Sequence, residues 1–194
     1  WVSSSVETGM LSAFNEPQPA DIYIICVPTP FKLSADGVKE PDVVYIETAV
    51  KSIAPMIKSG DLIILESTSP VGTTESILGL IQRHSDDVHD IYVAYCPERV
   101  LPGNIMHEIV LNDRIVGGID PKSTFKAANF YRSFVSGSVI ETTSKVAELC
   151  KLSENSFRDV NIAFANELSM ICETVGVDVW ELISLANRHP RVNI

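Results

Sequence analysis

Three polar runs and one pair of side chains hold the chemistry available to this sequence. Val27-Pro28-Thr29-Pro30, Ser67-Thr68-Ser69-Pro70 and Cys96-Pro97-Glu98-Arg99 each follow an apolar run of strand length. In an open parallel sheet, ligands bind beyond the carboxyl ends of the strands. Each run alone reads as an ordinary turn; three on successive strands line a crevice with hydroxyls and one carboxylate. Thr68 and Ser69 suit a ribose, a phosphate or a catalytic water, and Glu98 stands where a base or a water-ordering group is useful. Lys151 and Asn155 are four residues apart and share a helix face, with Glu148 three residues before Lys151. Asn155, Asn161 and Asn166 are poor helix formers, so propensity does not account for them. Two readings stand side by side. The stripe is either solvated, or it is a wall facing the sheet domain with an ammonium placed to stabilise a developing alkoxide.

The elements that would position these groups follow from periodicity. Residues 7–14 read as a short helical or irregular piece before Asn15-Glu16-Pro17-Gln18-Pro19. Ile22–Val27, Leu62–Leu65 and Ile91–Tyr95 are continuous apolar runs, which predicts buried parallel strands. Between them, Val43, Ile46, Val50, Ile53 and Ile57, then Ile77, Leu80 and Ile81, recur at helical spacing. The alternation predicts an α/β domain with a parallel sheet covered on both faces. Arg114–Val116 reads as a further short strand, Pro121–Phe134 as a helix and Val139-Ile140 as an edge strand. From Ser144 to about Val175 there is no Gly or Pro, and apolar residues recur at three- and four-residue steps, so one long helix is expected, ended by Gly176. A shorter helix follows through Val179, Leu182, Ile183 and Ala186. The character changes near residue 142, where a domain boundary is expected.

Composition narrows the function classes. The 194 residues are 45% hydrophobic and 21% charged, a globular balance. The net charge of -10, from 25 acids against 15 Lys and Arg, argues against a nucleic-acid or anionic membrane partner. Cys26, Cys96, Cys150 and Cys172 are widely spaced without nearby histidines, which disfavours a zinc site and leaves no metal expected. They read as buried thiols of a reducing compartment, the cytoplasm. No apolar run is long enough for a membrane span and no signal peptide opens the chain. Trp1 in place of an initiator Met suggests a region of a larger protein. The sequence has no Gly-x-Gly-x-x-Gly; Gly117-Gly118 is no substitute, because the fingerprint must open the first strand-to-helix turn.

In order and spacing these motifs resemble the UDP-glucose/GDP-mannose dehydrogenase family across essentially the whole chain. The signals are Val27-Pro28-Thr29-Pro30, the run Glu66 to Thr73 (ESTSPVGT), Cys96-Pro97-Glu98 and the helix Ala147 to Glu167 (AELCKLSENSFRDVNIAFANE). With Ala186 to Ile194 (ANRHPRVNI), that helix looks most like the branch acting on UDP-linked N-acetylhexosamines. The resemblance implies a cytoplasmic enzyme of polysaccharide precursor synthesis that oxidises the sugar C6 alcohol to a carboxylate with two NAD+, through a cysteine thiohemiacetal and thioester. It implies that Val27, Pro28, Thr29, Pro30, Ser67 and Thr68 line NAD, and that Thr68 also holds the catalytic water. Glu98 would serve acid-base and hydrolysis steps; Lys151 would stabilise oxyanions, with Asn155 assisting. Glu98, Arg99, Val100, Leu101, Lys151, Asn155 and Arg191 would contact substrate, Arg191 across a homodimer formed through the central helical domain.

By that resemblance residues 1–142 are the C-terminal part of a Rossmann-like NAD-binding domain lacking its first βαβ unit. Residues 143–194 open a long-helix domain like that of 6-phosphogluconate dehydrogenase. The nucleophilic cysteine is expected beyond Ile194 and matches none of the four present, so the 194 residues alone are expected to be inactive. Many relatives carry a second glutamate four residues after Glu98, where this chain has Pro102. Two rivals remain: a 3-hydroxyacid or 6-phosphogluconate dehydrogenase relative, which needs no thiol, and a non-catalytic binding or assembly module.

Overall fold

The computed structural model describes residues 2–84, 89–101 and 103–194. They form two compact units, Trp1–Leu149 and Cys150–Ile194. In chain order the first holds α1 (Val2–Glu7), β1 (Ile22–Ile25), β2 (Phe31–Leu33), β3 (Lys39–Pro41), α2 (Val44–Ile53), a 3-10 turn (Ala54–Met56), β4 (Leu62–Leu65), α3 (Thr73–Gln82) and β5 (Tyr92–Tyr95). α4 (Ile105–Leu111), β6 (Arg114–Gly118), α5 (Pro121–Arg132) and β7 (Val139–Thr143) complete it. α6 (Ser144–Val175) starts there and continues into the second unit, which also contains α7 (Val179–Ala186). Among the described residues no helix is long and apolar enough to cross a membrane.

The main sheet has the order β1-β4-β5-β6-β7. β4 pairs in parallel with β1 on one side and β5 on the other, as the three apolar runs predict. All four residues of β4 are fully buried, because it is central and covered on both faces. Ile63 and Leu65 pack with Ile46, Val50, Ile77 and Ile81 of α2 and α3. Leu62 and Ile64 pack with Ala127, Ala128 and Tyr131 of α5. Each such aliphatic chain contributes about 1.5–3 kcal/mol by leaving water, so β4 is the natural anchor for the loops at its ends. Pro121 in the first turn starts α5, and Asp120 caps it by accepting from the Ser123 N–H at 2.7 Å.

Several features depart from the sequence reading. β6 runs antiparallel to β5, pairing Ala94 with Gly118 and Tyr95 with Gly117, so the sheet is mixed. Among the described residues, the link from Tyr95 to Arg114 holds the Glu98 turn and the two-turn α4, and the chain re-enters the sheet at the end it left. β7 returns to parallel pairing with β6 at the far edge. The pair Gly117-Gly118 has a packing role: a Cβ on Gly117 would collide with the Thr143 carbonyl, and one on Gly118 with the Thr124 backbone. The loop expected between Pro30 and Pro41 contains the antiparallel pair β2–β3, whose residues are all exposed. α4 buries no residue fully. Neither element has an apolar alternation to announce it.

The long helix spans Ser144–Val175 as its Gly- and Pro-free run predicts. It ends where Gly176 adopts φ +72, with Val177 N–H donating to Cys172 O at 3.0 Å and Gly176 N–H to Glu173 O at 3.4 Å. Glu148, read as a companion of Lys151, has a commitment of its own. Its fully buried carboxylate accepts from Gly72 N–H at 2.6 Å, Thr74 N–H at 2.8 Å and the Thr74 hydroxyl at 2.6 Å. It thereby caps the amino end of α3 from 74 residues away and fixes the first turns of α6 to the loop that follows β4.

Candidate active site

At the carboxyl edge of the sheet, the shared register of β1, β4 and β5 aligns Ile25, Leu65 and Tyr95. The polar runs that follow therefore leave the sheet side by side. The Ser67 hydroxyl accepts from Val27 N–H and donates to Val27 O, both at 2.8 Å, tying the end of β1 to that of β4. Five proposed cofactor contacts, Val27, Pro28, Thr29, Pro30 and Ser67, thus lie on two loops joined by one hydroxyl. Thr29 and Thr68 are half-buried, Pro28 and Pro30 exposed. Ser69 is buried, and among the described residues its Oγ has no partner.

Directly behind this edge lies a polar cluster that the sequence reading did not include. Glu66 accepts from the Tyr131 hydroxyl at 2.6 Å and from the Cys26 thiol at 3.3 Å. Although Cys26 is exposed as a residue, partial desolvation of its thiol, reinforced by Glu66, pushes it up to about 12. Burial pushes Cys96 up to about 12 as well, against the opposing pull of Tyr131 and Arg114. Burial, then Cys96 and Glu66, also raise Tyr131 above its ordinary value. Both thiols therefore stay protonated at neutral pH and are poor nucleophiles. The expectation of four buried cysteines holds for Cys96 and Cys172 only; Cys150 is half-buried and Cys26 exposed, because the chain leaves the sheet after Ile25.

Glu98 sits in a turn built around its own carboxylate. Oε1 accepts from Arg99 N–H at 2.6 Å and Val100 N–H at 2.7 Å, and Oε2 meets Arg114 Nη1 at 3.3 Å. Its side chain keeps 36% exposure, so the carboxylate is held and still reachable. Leu101 continues the turn, donating its N–H to Glu108 at 2.8 Å while its side chain stays exposed. The Arg99 guanidinium donates to Asp113 O at 3.2 Å. Glu98, Arg99, Val100 and Leu101 are thus one local assembly; Pro102 lies outside the described residues. A hollow of about 460 Å³ lined by Tyr92, Phe125 and Lys126 contains none of these residues and opens at the amino end of β5.

In the second unit, Lys151 and Asn155 are both half-buried, one turn apart on α6. The Asn155 side-chain oxygen accepts from Arg158 at 3.3 Å. Arg191 is exposed beyond α7, its backbone N–H donating to His189 Nδ1 at 3.3 Å.

Residues 1–135 match the NAD-binding domain of the UDP-glucose/GDP-mannose dehydrogenase family, and residues 145–194 match its central domain. The chain belongs to this family. It is similar to the UDP-N-acetyl-D-mannosamine dehydrogenase of Yersinia pestis, with 54% identity over 100% of the chain and 47% of that protein. The NDP-N-acetyl-D-galactosaminuronic acid dehydrogenase of Ralstonia solanacearum also matches at 54%, with the same coverage. The chain thus spans about half the length of the curated relatives it matches. Among solved structures, the UDP-N-acetyl-mannosamine dehydrogenase Cap5O of Staphylococcus aureus superposes with a TM-score of 0.87 at 41% identity, over 98% of this chain and 46% of that one. The Rossmann-type α/β architecture is the family's own, and NAD is the cofactor of the matched domain.

The strand ends offer a direct test of fit to NAD. A buried hydroxyl without a partner is costly unless a ligand satisfies it, and Ser69 Oγ is such a group in the loop after β4. With half-buried Thr68 beside it and half-buried Thr29 on the loop after β1, the donor set fits the hydroxyl-rich cofactor of this domain. With no Gly-x-Gly-x-x-Gly in the sequence, no residue of this chain is assigned to its phosphates.

Proposed function

We propose that this chain carries the acid-base, oxyanion-stabilising and nicotinamide-side residues of an enzyme that oxidises UDP-N-acetyl-D-mannosamine at C6. The alcohol becomes a carboxylate in two hydride transfers, through a cysteine thiohemiacetal and thioester. The observation that carries the reading is the Glu98 turn, which holds a carboxylate by two backbone N–H groups and one guanidinium while leaving 36% of its side chain open. The 54% identity to the Yersinia pestis enzyme supports the choice of substrate.

Bound NAD+ supplies the hydride acceptor. Val27, Pro28, Thr29, Pro30 and Ser67 line it, and Thr68 orients the water that attacks the thioester. Glu98 exchanges the protons of the alcohol and of that water. Lys151, assisted by Asn155, places positive charge where the C6 oxygen becomes negative, an interaction stronger in the transition state than in the ground state. Arg99, Val100, Leu101 and Arg191 contact the sugar nucleotide. The nucleophile is none of the four cysteines here; Cys26 and Cys96 are held protonated. The reading assigns residues 1–142 to the NAD-binding domain and 143–194 to the central helical domain. It includes a homodimer through α6 and α7, supported by exposed Phe157, Val160, Phe164 and Trp180. Sedimentation of the full-length protein at twice the chain mass is the expected result, and a monomer would remove that part.

The galacto epimer has equal support from the Ralstonia solanacearum match. The test is turnover by the full-length protein with NAD+ and, separately, UDP-N-acetyl-D-mannosamine and UDP-N-acetyl-D-galactosamine. Uronate from the manno sugar, at a kcat/KM above that for the galacto sugar, is expected. The reverse order moves the assignment to the other epimer, and turnover of neither sinks it.

A further inference from the structure

The first residue of β6 is an arginine in an expensive place. Arg114 is 2% exposed, and among the described residues its guanidinium makes long contacts: 3.3 Å to Glu98 Oε2 and 3.4 Å from Nη2 to Ile109 O. Its Nε is buried with no partner among the described residues. The guanidinium carbon lies 5.6 Å from the centre of the Tyr131 ring. Burial works against its charge, and the Glu98 carboxylate more than offsets this, so its affinity for its proton is raised. A buried cation with an unsatisfied donor is a poor way to stabilise a fold, since a well-packed apolar side chain often does as well or better. The position therefore calls for a role beyond packing.

The geometry of Glu98 supplies one. The Arg99 and Val100 N–H groups both meet Oε1. Arg114 reaches the other oxygen from the neighbouring strand and fixes the carboxylate plane. β6 runs antiparallel to β5, with Tyr95 opposite Gly117. That pairing sets Arg114 beside the turn that follows β5. We propose that Arg114 is the positioning residue of Glu98, holding its carboxylate in the orientation from which it exchanges protons with substrate and water. The Tyr131 ring and the Ile109 carbonyl steady the guanidinium in turn. The proposal rests on the acid-base reading of Glu98.

The test is a double-mutant cycle in the full-length enzyme, reading kcat and the KM values for NAD+ and sugar nucleotide. In Arg114→Lys the ammonium cannot span both Glu98 and the Ile109 carbonyl. The expected fall in kcat is about 10- to 100-fold, the scale of a misplaced catalytic group, with KM for NAD+ little changed. On a Glu98→Gln background the same substitution should change kcat by less than about 2-fold, because residues acting as one unit are not additive. Equal slowing on both backgrounds would make Arg114 a general structural residue and overturn the proposal, as would an unchanged kcat in Arg114→Lys alone. If Arg114→Lys does not fold, Arg114→Gln enters the same cycle; a protein that folds with neither marks a folding residue and also overturns it. Failure of the underlying reading looks different: Glu98→Gln would itself turn over at the wild-type rate, taking the proposal with it.

Discussion

Lys151→Met in the full-length enzyme should lower kcat roughly 10²–10³-fold, about 2.7–4 kcal/mol of transition-state stabilisation by analogy with loss of one oxyanion donor. The substitution keeps most of the stem packing of this half-buried residue and deletes only the ammonium. KM should move far less than kcat, since the interaction strengthens as charge develops on oxygen. The competing account is a solvated lysine, whose loss changes stability by under about 0.5 kcal/mol and leaves kinetics alone. Wild-type turnover in Lys151→Met would establish that account and remove the oxyanion role. The contrast with Glu148, one turn earlier on α6, sharpens the comparison. That carboxylate is fully buried and holds Gly72 and Thr74, so its removal should cost stability.

Glu98→Gln should slow turnover at least ~10²-fold while NAD binding persists, the scale of lost general acid-base help. The amide fills the same space but loses the charge and the second acceptor oxygen. Either the two backbone N–H groups on Oε1 or the guanidinium on Oε2 must then face an NH₂. Position 102 is a proline, so no carboxylate there covers the loss. Near-normal kcat would reduce Glu98 to a turn residue whose carboxylate serves only its own loop.

The strands were legible because each carries a local signal: an unbroken run of apolar residues read by a strand buried on both faces, as Leu62–Leu65 is. The long helix was legible for the complementary reason, thirty residues without a breaker and then Gly176 in the left-handed region. What stayed hidden depends on partners far away in the chain. Nothing local to Arg114 tells of Glu98, and the antiparallel entry of β6 is a property of the link before it. Glu66 escaped because the first apolar run reads on to Val27, whereas β1 ends at Ile25 and its register puts Cys26, Glu66 and Cys96 in line. Tyr131 stayed out of reach because its hydroxyl partner lies 65 residues away on the sheet beneath it. Exposed β2, β3 and α4 escaped because apolar periodicity speaks only for elements that bury a face.

The central claim is a two-step oxidation at C6, and NADH released per sugar nucleotide measures it. Full-length enzyme with limiting UDP-N-acetyl-D-mannosamine and excess NAD+ should yield two NADH per sugar consumed, with the uronate as product and no free aldehyde. Two transfers at one site follow if the aldehyde is retained as a thiol adduct between them. One NADH per sugar, with aldehyde accumulating in solution, would contradict the account.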